Sequence, residues 1–270
     1  MALTLTFPEG GALVTGGTGT VGEGIVRALC AAEVPLVFTY VSRPDKAEAL
    51  VAELRGAGHD VEAVRMAMSD TATISAAFDR VIERHGRVHT VSCGSGVPVL
   101  LDRLADFTVE QVEQFMWNDA LGYYRVFREA VHRMRASGGG SITTCTTMAS
   151  TRVVRWDGIS PLSKGSVEAL MRQTAAEEVG HGIRANSVAI GWVARETMSH
   201  YRAMLDQGVP ADPQNFDERM IDLLAEIDDR LRIQRPGTPA EAGNVFAFLA
   251  SDQASYVNGQ SIVLDGGTTL

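Results

Sequence analysis

Three glycines near the start of the chain have a spacing that suits phosphate binding. Gly16, Gly19 and Gly22 stand three residues apart, between the apolar run Ala12–Val14 and a helix-like segment. Glycine lets the backbone turn sharply and approach a pyrophosphate closely, and the first turn of the next helix offers unpaired N–H groups at the positive end of its dipole. This pattern at a strand–helix junction predicts a dinucleotide-binding loop, with a purely structural turn as the alternative.

The end of the second predicted strand bears on which dinucleotide would bind. Leu36–Tyr40 is followed by Val41, Ser42 and Arg43, without the acidic residue that accepts hydrogen bonds from the adenosine ribose in NAD sites. Ser42 and Arg43 can hold a 2′-phosphate instead. We therefore expect NADP(H) to be preferred over NAD(H); the alternative is that Arg43 is an ordinary exposed residue at the start of a helix.

The histidines and cysteines show no spacing typical of a metal site, so we predict no metal. The cysteines are widely separated and are expected to be buried, reduced thiols, as in a cytoplasmic protein. The residues concerned are His59, His85, His89, His132, His181, Cys30, Cys93 and Cys145.

Strand-like and helix-like segments alternate along the chain, which predicts an α/β fold with a parallel sheet covered on both faces. Capping boxes at Thr108–Gln111 and Thr238–Glu241 mark two helix starts. One long helix would run from Thr108 to about Arg135, and another from about Ser160 to Gly180. The predicted strands are Ala12–Val14, Leu36–Tyr40, Val61–Met66, Val88–Cys93, Ser141–Thr146, Ile183–Ile190 and Ser261–Leu264.

One long interruption separates Gly191 from Gly237, and residues 1–270 otherwise contain no linker or repeat. We therefore predict a single domain with an insertion at about 195–235. A long connection after a strand's carboxyl end is a typical place for a substrate lid. A surface helix with a solvated acidic face is the alternative, because apolar residues recur there at helical spacing: Met220, Leu223, Leu224, Ile227 and Leu231.

The composition excludes several classes of function. The chain has 270 residues, 24 Lys and Arg against 33 Asp and Glu, and a net charge of −9. Such an acidic protein is not expected to bind nucleic acid or an anionic membrane. An apolar run of 18 residues is absent from the sequence, so no membrane-spanning segment is predicted.

Several motifs in the second half resemble the short-chain dehydrogenase/reductase superfamily, in its branch similar to β-ketoacyl carrier-protein reductases. The matching segments are Gly182–Gly191, Arg235–Glu241, Phe248–Asp252 and Asp265–Gly267, and the glycine loop agrees with them. The resemblance implies a doubly wound Rossmann-type sheet of about seven strands, a nicotinamide cofactor, a small carbonyl substrate and usually a tetramer. It also implies hydride transfer between carbonyl and alcohol.

The same resemblance implies a catalytic set of Asn, Ser, Tyr and Lys, of which this sequence keeps half. Lys164 aligns with the lysine and Asn118 with the asparagine, whereas Thr147 stands where the serine usually falls. Ser160, four residues before Lys164, stands where the tyrosine belongs. An aliphatic hydroxyl is a far weaker acid than a phenol, whose pKa is about 10, so Ser160 is a poor proton donor at neutral pH.

The resemblance also implies which residues would contact the cofactor. Arg195 stands near the sixth-strand turn, where it could contact the pyrophosphate, the carboxamide region or a substrate carboxylate. The full predicted set is Gly16, Thr18, Gly19, Thr20, Val21, Gly22, Tyr40, Ser42, Arg43, Met68, Gly94, Lys164, Ile190, Val193 and Arg195.

Four residues are candidates for work on the substrate. His200 or Tyr201, in the insertion, could protonate a developing alkoxide when a lid closes, or they could be exposed loop residues. Arg155 could stabilise an oxyanion electrostatically. Trp156 could stack on a planar substrate or serve only in packing. Tyr123 and Tyr124 are expected to pack in the core or at a subunit interface.

Three functions follow from these observations. The first is an NADPH-dependent ketoreductase without the tyrosine, acting on an aromatic or conjugated ketone, for example in natural-product tailoring. The second is a non-redox isomerase, dehydratase or cyclase on the same scaffold. The third is a non-catalytic subunit paired with an active paralogue. The helices from Thr108 and Ser160 and the tail Gly259–Leu270 would form the interfaces of a homotetramer or homodimer.

Overall fold

A parallel sheet of seven strands forms the centre of the molecule, as the sequence predicted. The computed structural model describes residues 4–96, 99–197, 199–200, 203, 223, 225–227 and 229–270. The strand order is β3-β2-β1-β4-β5-β6-β7. The strands are β1 (Gly11–Thr15), β2 (Leu36–Tyr40), β3 (Val61–Arg65), β4 (Val88–Cys93), β5 (Gly140–Thr147), β6 (Ile183–Ile190) and β7 (Ser261–Leu264).

Helices connect successive strands and cover both faces of the sheet. A turn of π-helix, Met116–Ala120, lies inside the long helix predicted from Thr108 and divides it into two. The α-helices outside the insertion are α1 (Thr20–Ala31), α2 (Pro44–Gly56), α3 (Thr71–His85), α4 (Val109–Phe115), α5 (Leu121–Arg135), α6 (Ile159–Glu178) and α7 (Pro239–Ala250).

Polar side chains fix the starts of three of these helices. Asp70 accepts hydrogen bonds from the backbone N–H groups at the start of α3. Both predicted capping boxes are confirmed, at Thr108 before α4 and at Thr238 before α7. Each cap satisfies N–H groups that have no partner inside the helix, which stabilises the helix by about 1 kcal/mol.

The central strands of the sheet are buried on both faces, and the polar residues that they carry, such as Thr90 and Thr143, are mostly small. Alternate residues of β1 point to opposite layers, Leu13 into one and Val14 into the other. Phe127 packs in the first layer and Phe38 in the second. Burying one such side chain stabilises the fold by about 1.5–3 kcal/mol.

The strand order reverses between β1 and β4, and the carboxyl ends of the strands meet at the upper edge of the sheet there. Ligands of open α/β sheets bind at such a reversal. Part of the insertion lies over this edge, because Leu223, Ile227 and Leu231 pack against Met148 after β5. Met220 and Leu224 lie outside the described residues.

Two general properties bear on the setting of the protein. Among the described residues, no helix is long and apolar enough to cross a membrane. The three cysteines are free thiols, with Cys30 and Cys93 buried and Cys145 half-buried.

Candidate active site

The glycine loop between β1 and α1 is a tight cradle made of backbone. Gly16 has a φ of 69°, a left-handed conformation that favours glycine. A Cβ on Gly22 would lie 2.0 Å from the carbonyl oxygen of Gly16, so no larger residue fits there. Gly94, just after β4, is equally close-packed, since its Cβ would lie 2.9 Å from the Cα of Gly22.

The first turn of α1 has the features of an anion site. Gly19 stands at the N-cap and has no side-chain oxygen to cap the helix. The N–H groups of the first turn are therefore left for a ligand, at the positive end of the helix dipole. With the space that the glycines leave, this donor set fits the pyrophosphate of a dinucleotide.

A cluster of charges centred on Glu23 borders the loop. The Glu23 carboxylate lies 3.0 Å from Nε of Arg27, 3.3 Å from Nζ of Lys46 and 2.5 Å from Nη2 of Arg195. Burial raises the pKa of Glu23, but hydrogen bonds from Arg195 and Arg27 outweigh it and bring the pKa down to about 2. We name Glu23, Arg27, Lys46 and Arg195 the Glu23 cluster; it ties the connection after β6 to the phosphate loop.

Lys46 contacts the glycine loop directly, and sequence reasoning missed it. Its Nζ donates a hydrogen bond to the carbonyl oxygen of Thr18 at 2.6 Å. Ser42 and Arg43, the residues predicted to hold a 2′-phosphate, are exposed at the start of α2. Lys46 could have been found from its position in the first turn of α2, because that helix starts beside the end of β2.

On the other side of the sheet's reversal, Lys164 of α6 lies buried against Asp119. Its Nζ is 3.0 Å from Oδ2 of Asp119, with side chains 11% and 3% exposed. The angles fall outside hydrogen-bond geometry, so the contact is an ion pair. Ser163 donates a hydrogen bond to the same oxygen at 3.2 Å. A Cβ on Gly96 would lie 3.5 Å from Nζ, which places the ammonium beside the loop after β4.

The structure does not bring Asn118, the predicted asparagine, to this lysine. The Asn118 side-chain N–H donates to the carbonyl oxygen of Gln114 in its own helix. Asp119 takes the place beside Lys164 instead. The π-helical turn at 116–120 contains both residues, and such a turn rotates the side chains that follow it. Spacing along the sequence therefore could not decide whether Asn118 or Asp119 lies beside Lys164.

Ser160 and Thr147 lie where the resemblance places them, at the start of α6 and the end of β5. Ser160 is 7% exposed. Thr147 accepts a hydrogen bond from the backbone N–H of Ala149 at 3.1 Å. Asp157 precedes α6 and is 9% exposed; burial raises the pKa of its carboxyl group, and the nearby hydroxyl and backbone N–H of Ser160 oppose that rise. The carboxyl group of Asp157 thus lies beside the residue that stands in the tyrosine position.

The candidates on the substrate side fall into two groups. Arg155 and Trp156 lie together before α6, with the guanidinium carbon 4.1 Å from the centre of the Trp156 ring. His200 is exposed, and its Nδ1 is 3.9 Å from Oε2 of Glu196. Tyr201 lies outside the described residues.

The other predicted cofactor residues line the same edge of the sheet. Tyr40 ends β2 and Ile190 ends β6, whereas Val193 forms a backbone bridge with Gly237. Met68 lies under α5, where a Cβ on Gly122 would be 2.9 Å from its methyl group. The remainder, at the loop and the first turn of α1, are Thr18, Thr20 and Val21.

A comparison with protein families settles the relationship of the chain. Residues 17–269 match the family described as enoyl-(acyl carrier protein) reductase. The oxidoreductase UcpA of Salmonella typhimurium is 30% identical over 260 residues, which cover 96% of this chain and 94% of UcpA. The chain belongs to the short-chain dehydrogenase/reductase superfamily. Members of this superfamily are oxidoreductases that bind a nicotinamide cofactor.

Other members of the superfamily agree in sequence and in structure. Versicolorin reductase stcU of Emericella nidulans is 27% identical, over 95% of this chain and 94% of its own. A short-chain dehydrogenase/reductase from Mycobacterium ulcerans has a TM-score of 0.85 at 26% identity, covering 98% of this chain and 91% of its own. A blue fluorescent protein from a metagenomic library, solved with NADPH, has a TM-score of 0.79 at 28% identity, covering 96% and 97%.

Within the superfamily, the nicotinamide cofactor fits this chain at the glycine loop. The cradle around Gly16 and Gly22, the uncapped start of α1 and the cations of the Glu23 cluster provide room, N–H donors and positive charge. Among the described residues, no group of three or more His, Cys, Asp or Glu side chains is placed to hold a metal ion.

Proposed function

We propose that the protein is a single-domain, NADPH-dependent ketoreductase of the cytoplasm, which reduces a small carbonyl substrate to an alcohol. The observation that carries this proposal is the buried Lys164 ammonium beside Gly96, next to the intact glycine cradle. Binding of a nicotinamide dinucleotide requires a phosphate-binding loop and a lysine near it. The free, mostly buried thiols support a reducing compartment.

The chain's own residues would hold the cofactor at three places. The glycine loop and the first turn of α1 would bind the pyrophosphate through backbone N–H groups. Lys46 and Arg43 would bind the 2′-phosphate, because both are cations at the start of α2 and Lys46 already reaches Thr18. Lys164 would bind the nicotinamide ribose. The bound cofactor supplies the hydride.

Asp119 would be the residue that positions Lys164, as its acidic partner, in place of the predicted Asn118. The ion pair at 3.0 Å and the hydrogen bond from Ser163 fix the lysine side chain from below. Tyr123 lies under the same ammonium, with its ring centre 4.6 Å from Nζ. A lysine held on these sides keeps its position without a tyrosine at position 160.

An apolar cluster beneath the insertion supports an aromatic or conjugated ketone as the substrate. Met148, Val154 and Trp192 form an apolar cluster with Ile227 and Leu231 of the insertion, which we propose to be a lid. A conjugated product anion is stabilised by delocalisation and needs less help from an acid. The versicolorin reductases among the relatives make versicolorin a rational test substrate, and a role in natural-product tailoring would agree with that choice.

The decisive experiment is turnover by the purified protein. NADPH oxidation would be followed with versicolorin and a panel of aromatic and aliphatic ketones, and the reverse reaction with the matching alcohols. We expect reduction of at least one conjugated ketone. NADPH binding without any turnover, together with co-purification of an active paralogue, would support the non-catalytic subunit instead. Conversion of a substrate without net NADPH oxidation would support the non-redox enzyme.

We also propose that the protein assembles as a homotetramer or homodimer through the helices α5 and α6. These helices and the π-turn before α5 expose large apolar side chains: Trp117, Leu121, Tyr124 and Leu162 are 52%, 42%, 51% and 46% exposed. Apolar area of this kind marks protein interfaces. Sedimentation velocity at micromolar concentration would test this, and a monomer peak would contradict it.

A further inference from the structure

Asp157 is a buried carboxyl group without an assigned role, at the position where the family's tyrosine is replaced. It is 9% exposed. Burial raises the pKa of this carboxyl group, the nearby hydroxyl and backbone N–H of Ser160 oppose the rise, and Ser160 lies one helical turn before Lys164. Among the described residues, Oδ1 of Asp157 has no hydrogen-bond partner. A buried carboxylate oxygen without a partner is costly, so this site favours the protonated form or a ligand.

The backbone around Asp157 is held in an unusual conformation. Trp156 has a φ of 63°, in the left-handed region that residues other than glycine rarely adopt. The carbonyl oxygen of Trp156 accepts a hydrogen bond from the N–H of Asp102 at 3.0 Å, and Arg155 covers its ring. Such conformations persist only where the surroundings enforce them, and they concentrate at functional sites. The effect here is to turn Asp157 inward, toward the start of α6.

A polar chain connects this carboxyl group to the lysine. Asp157 contacts Ser160, and Ser163 donates to the carbonyl oxygen of Ser160 at 3.2 Å and to Oδ2 of Asp119. Asp119 in turn pairs with Lys164. The start of α6 thus places Asp157 and Ser160 within about one helical turn of Lys164, the residue that would hold the cofactor ribose.

Two other candidates for the acid are already engaged. The Tyr123 hydroxyl donates to the carbonyl oxygen of Ser95, and burial raises the pKa of this fully buried phenol well above its ordinary value. Asp119 faces the Lys164 ammonium and accepts from Ser163, so its oxygens already have partners. By contrast, burial raises the pKa of Asp157 to about 6, while the hydrogen bonds from Ser160 limit the rise.

We propose that Ser160 and Asp157 together replace the tyrosine as a two-residue proton donor. This inference rests on the proposed ketoreductase function. Hydride from the reduced nicotinamide forms the new C–H bond, and the electron pair of the C=O π bond moves to oxygen. That oxygen takes the proton of the Ser160 hydroxyl, and Ser160 takes the carboxyl proton of Asp157. The carboxylate left at Asp157 is reprotonated by water after the alcohol leaves.

Substitution of Asp157 by Asn separates this role from helix capping. Asn keeps the volume and an oxygen that accepts from Ser160, but it has no acid proton. We expect Asp157→Asn to lower kcat by about 10²-fold, the lower end of what a positioned acid contributes. Its NADPH Kd, measured by fluorescence titration, should stay within about twofold, a shift of less than 0.5 kcal/mol. Ser160→Ala should lower kcat by a similar factor, and the double variant should lose little more.

The pH profile gives a readout that a structural role would not move. Wild-type kcat should be constant below about pH 6 and fall about tenfold per pH unit above it, because the acid must carry its proton. Asp157→Asn should lack this limb. Asp102 forms a backbone bridge with Asp157, and Arg155 lies two residues before it; single substitutions of Asp102 and Arg155 should shift the limb without removing it.

Carbon-13 NMR of the aspartate carboxyl carbons provides a test without turnover. The protein alone, without cofactor, should show one carboxyl group that titrates near pH 6, and Asp157→Asn should lack that signal. Asp70→Asn is the matched control, because Asp70 also stands at the start of a helix, where it caps α3, and lies outside the machinery described above; we expect unchanged kcat and an unchanged signal near pH 6.

The outcomes distinguish the two proposals. Wild-type turnover with normal kcat in Asp157→Asn or Ser160→Ala would overturn the relay and leave the ketoreductase intact. A titration of Asp157 below about pH 4, the range of an ordinary exposed aspartate, would also overturn it. Absence of wild-type turnover with every ketone would refute the proposed function, and the relay with it.

Discussion

The glycine loop and the start of α6 differ in which part of the chain does the binding. At the loop, the backbone itself forms the site: its shape depends on glycines at positions 16 and 22, and its donors are N–H groups of α1. At α6, side chains form the site, and Ser160 stands where the resemblance implies a tyrosine. On the resemblance, the first region keeps the family's pattern, and the second is where we expect a departure from it.

The comparison indicates where such a fold can change its chemistry. A backbone cradle admits almost no substitution, because a Cβ on Gly22 would meet a carbonyl oxygen at 2.0 Å. A side-chain site can be altered residue by residue, as long as buried charges keep partners. Lys164 retains one in Asp119. If the contrast holds, substitutions in the loop should weaken cofactor binding, and substitutions at α6 should lower turnover.

Removal of the Lys164 charge should have the largest effect. Lys164→Met leaves Asp119 buried without its cation, which typically costs about 3–5 kcal/mol of unfolding free energy. We also expect most of the turnover to be lost. Adding Asn at position 119 should recover much of the stability, because a buried pair replaced by neutral groups costs little, but none of the turnover. Equal urea midpoints for Lys164→Met with and without Asp119→Asn would contradict the importance of the ion pair.

Gly22→Ala should damage the cofactor loop while leaving the α6 site unchanged. The new Cβ forces the loop open against the carbonyl oxygen of Gly16, and overpacking of this kind costs about 1–3 kcal/mol. NADPH binding should weaken by up to about 10²-fold, the equivalent of that energy. Gly56→Ala at the end of α2 is the control, since a Cβ there meets nothing within 4 Å. A normal NADPH Kd in Gly22→Ala would show that the loop does not hold the pyrophosphate.

The sequence predicted the fold because the elements have strong local signals. The strands Leu36–Tyr40, Val88–Cys93, Ile183–Ile190 and Ser261–Leu264 are confirmed residue for residue. Apolar runs bounded by glycine, proline and helix caps mark buried strands without ambiguity. The capping boxes at Thr108 and Thr238 are confirmed for the same reason.

The arrangement of the side chains at the site is harder to predict from sequence, for local reasons. A π-turn exchanged Asn118 for Asp119 beside Lys164, and a propensity argument cannot place a π-turn. Lys46 reaches the glycine loop only because α2 starts beside it. Asp157 depends on a left-handed backbone at Trp156, which its sequence does not signal. Whether Tyr201 takes part stays a prediction, because it lies outside the described residues.

The predicted preference for NADPH over NADH provides a further test at the glycine loop. Lys46→Ala should raise the NADPH Kd by about tenfold, as for one lost charge-assisted hydrogen bond, and leave the NADH Kd nearly unchanged. Arg43→Ala should act in the same direction. Arg55→Ala on the same helix is the control: Arg55 is exposed and donates to the carbonyl oxygen of Val61, away from the loop. NADH binding as tightly as NADPH to the wild type would refute the preference itself.

The smallest effect is expected from neutralising Glu23, and its sign follows from the pKa. The folded value, about 2, lies below the ordinary 4.5, so the carboxylate stabilises the fold above pH 4.5 and this contribution is lost as the pH falls toward 2. Glu23→Gln keeps the shape and one acceptor oxygen but loses the charge, and should cost about 1 kcal/mol at pH 7. Urea unfolding from pH 7 to pH 3 should show the two proteins converging. Glu53 is the second partner of Arg27, and its side chain is 58% exposed. Glu53→Gln should therefore change the free energy of unfolding less than Glu23→Gln does. A constant difference between wild type and Glu23→Gln at all pH values would mean that the Glu23 cluster acts through packing rather than through charge.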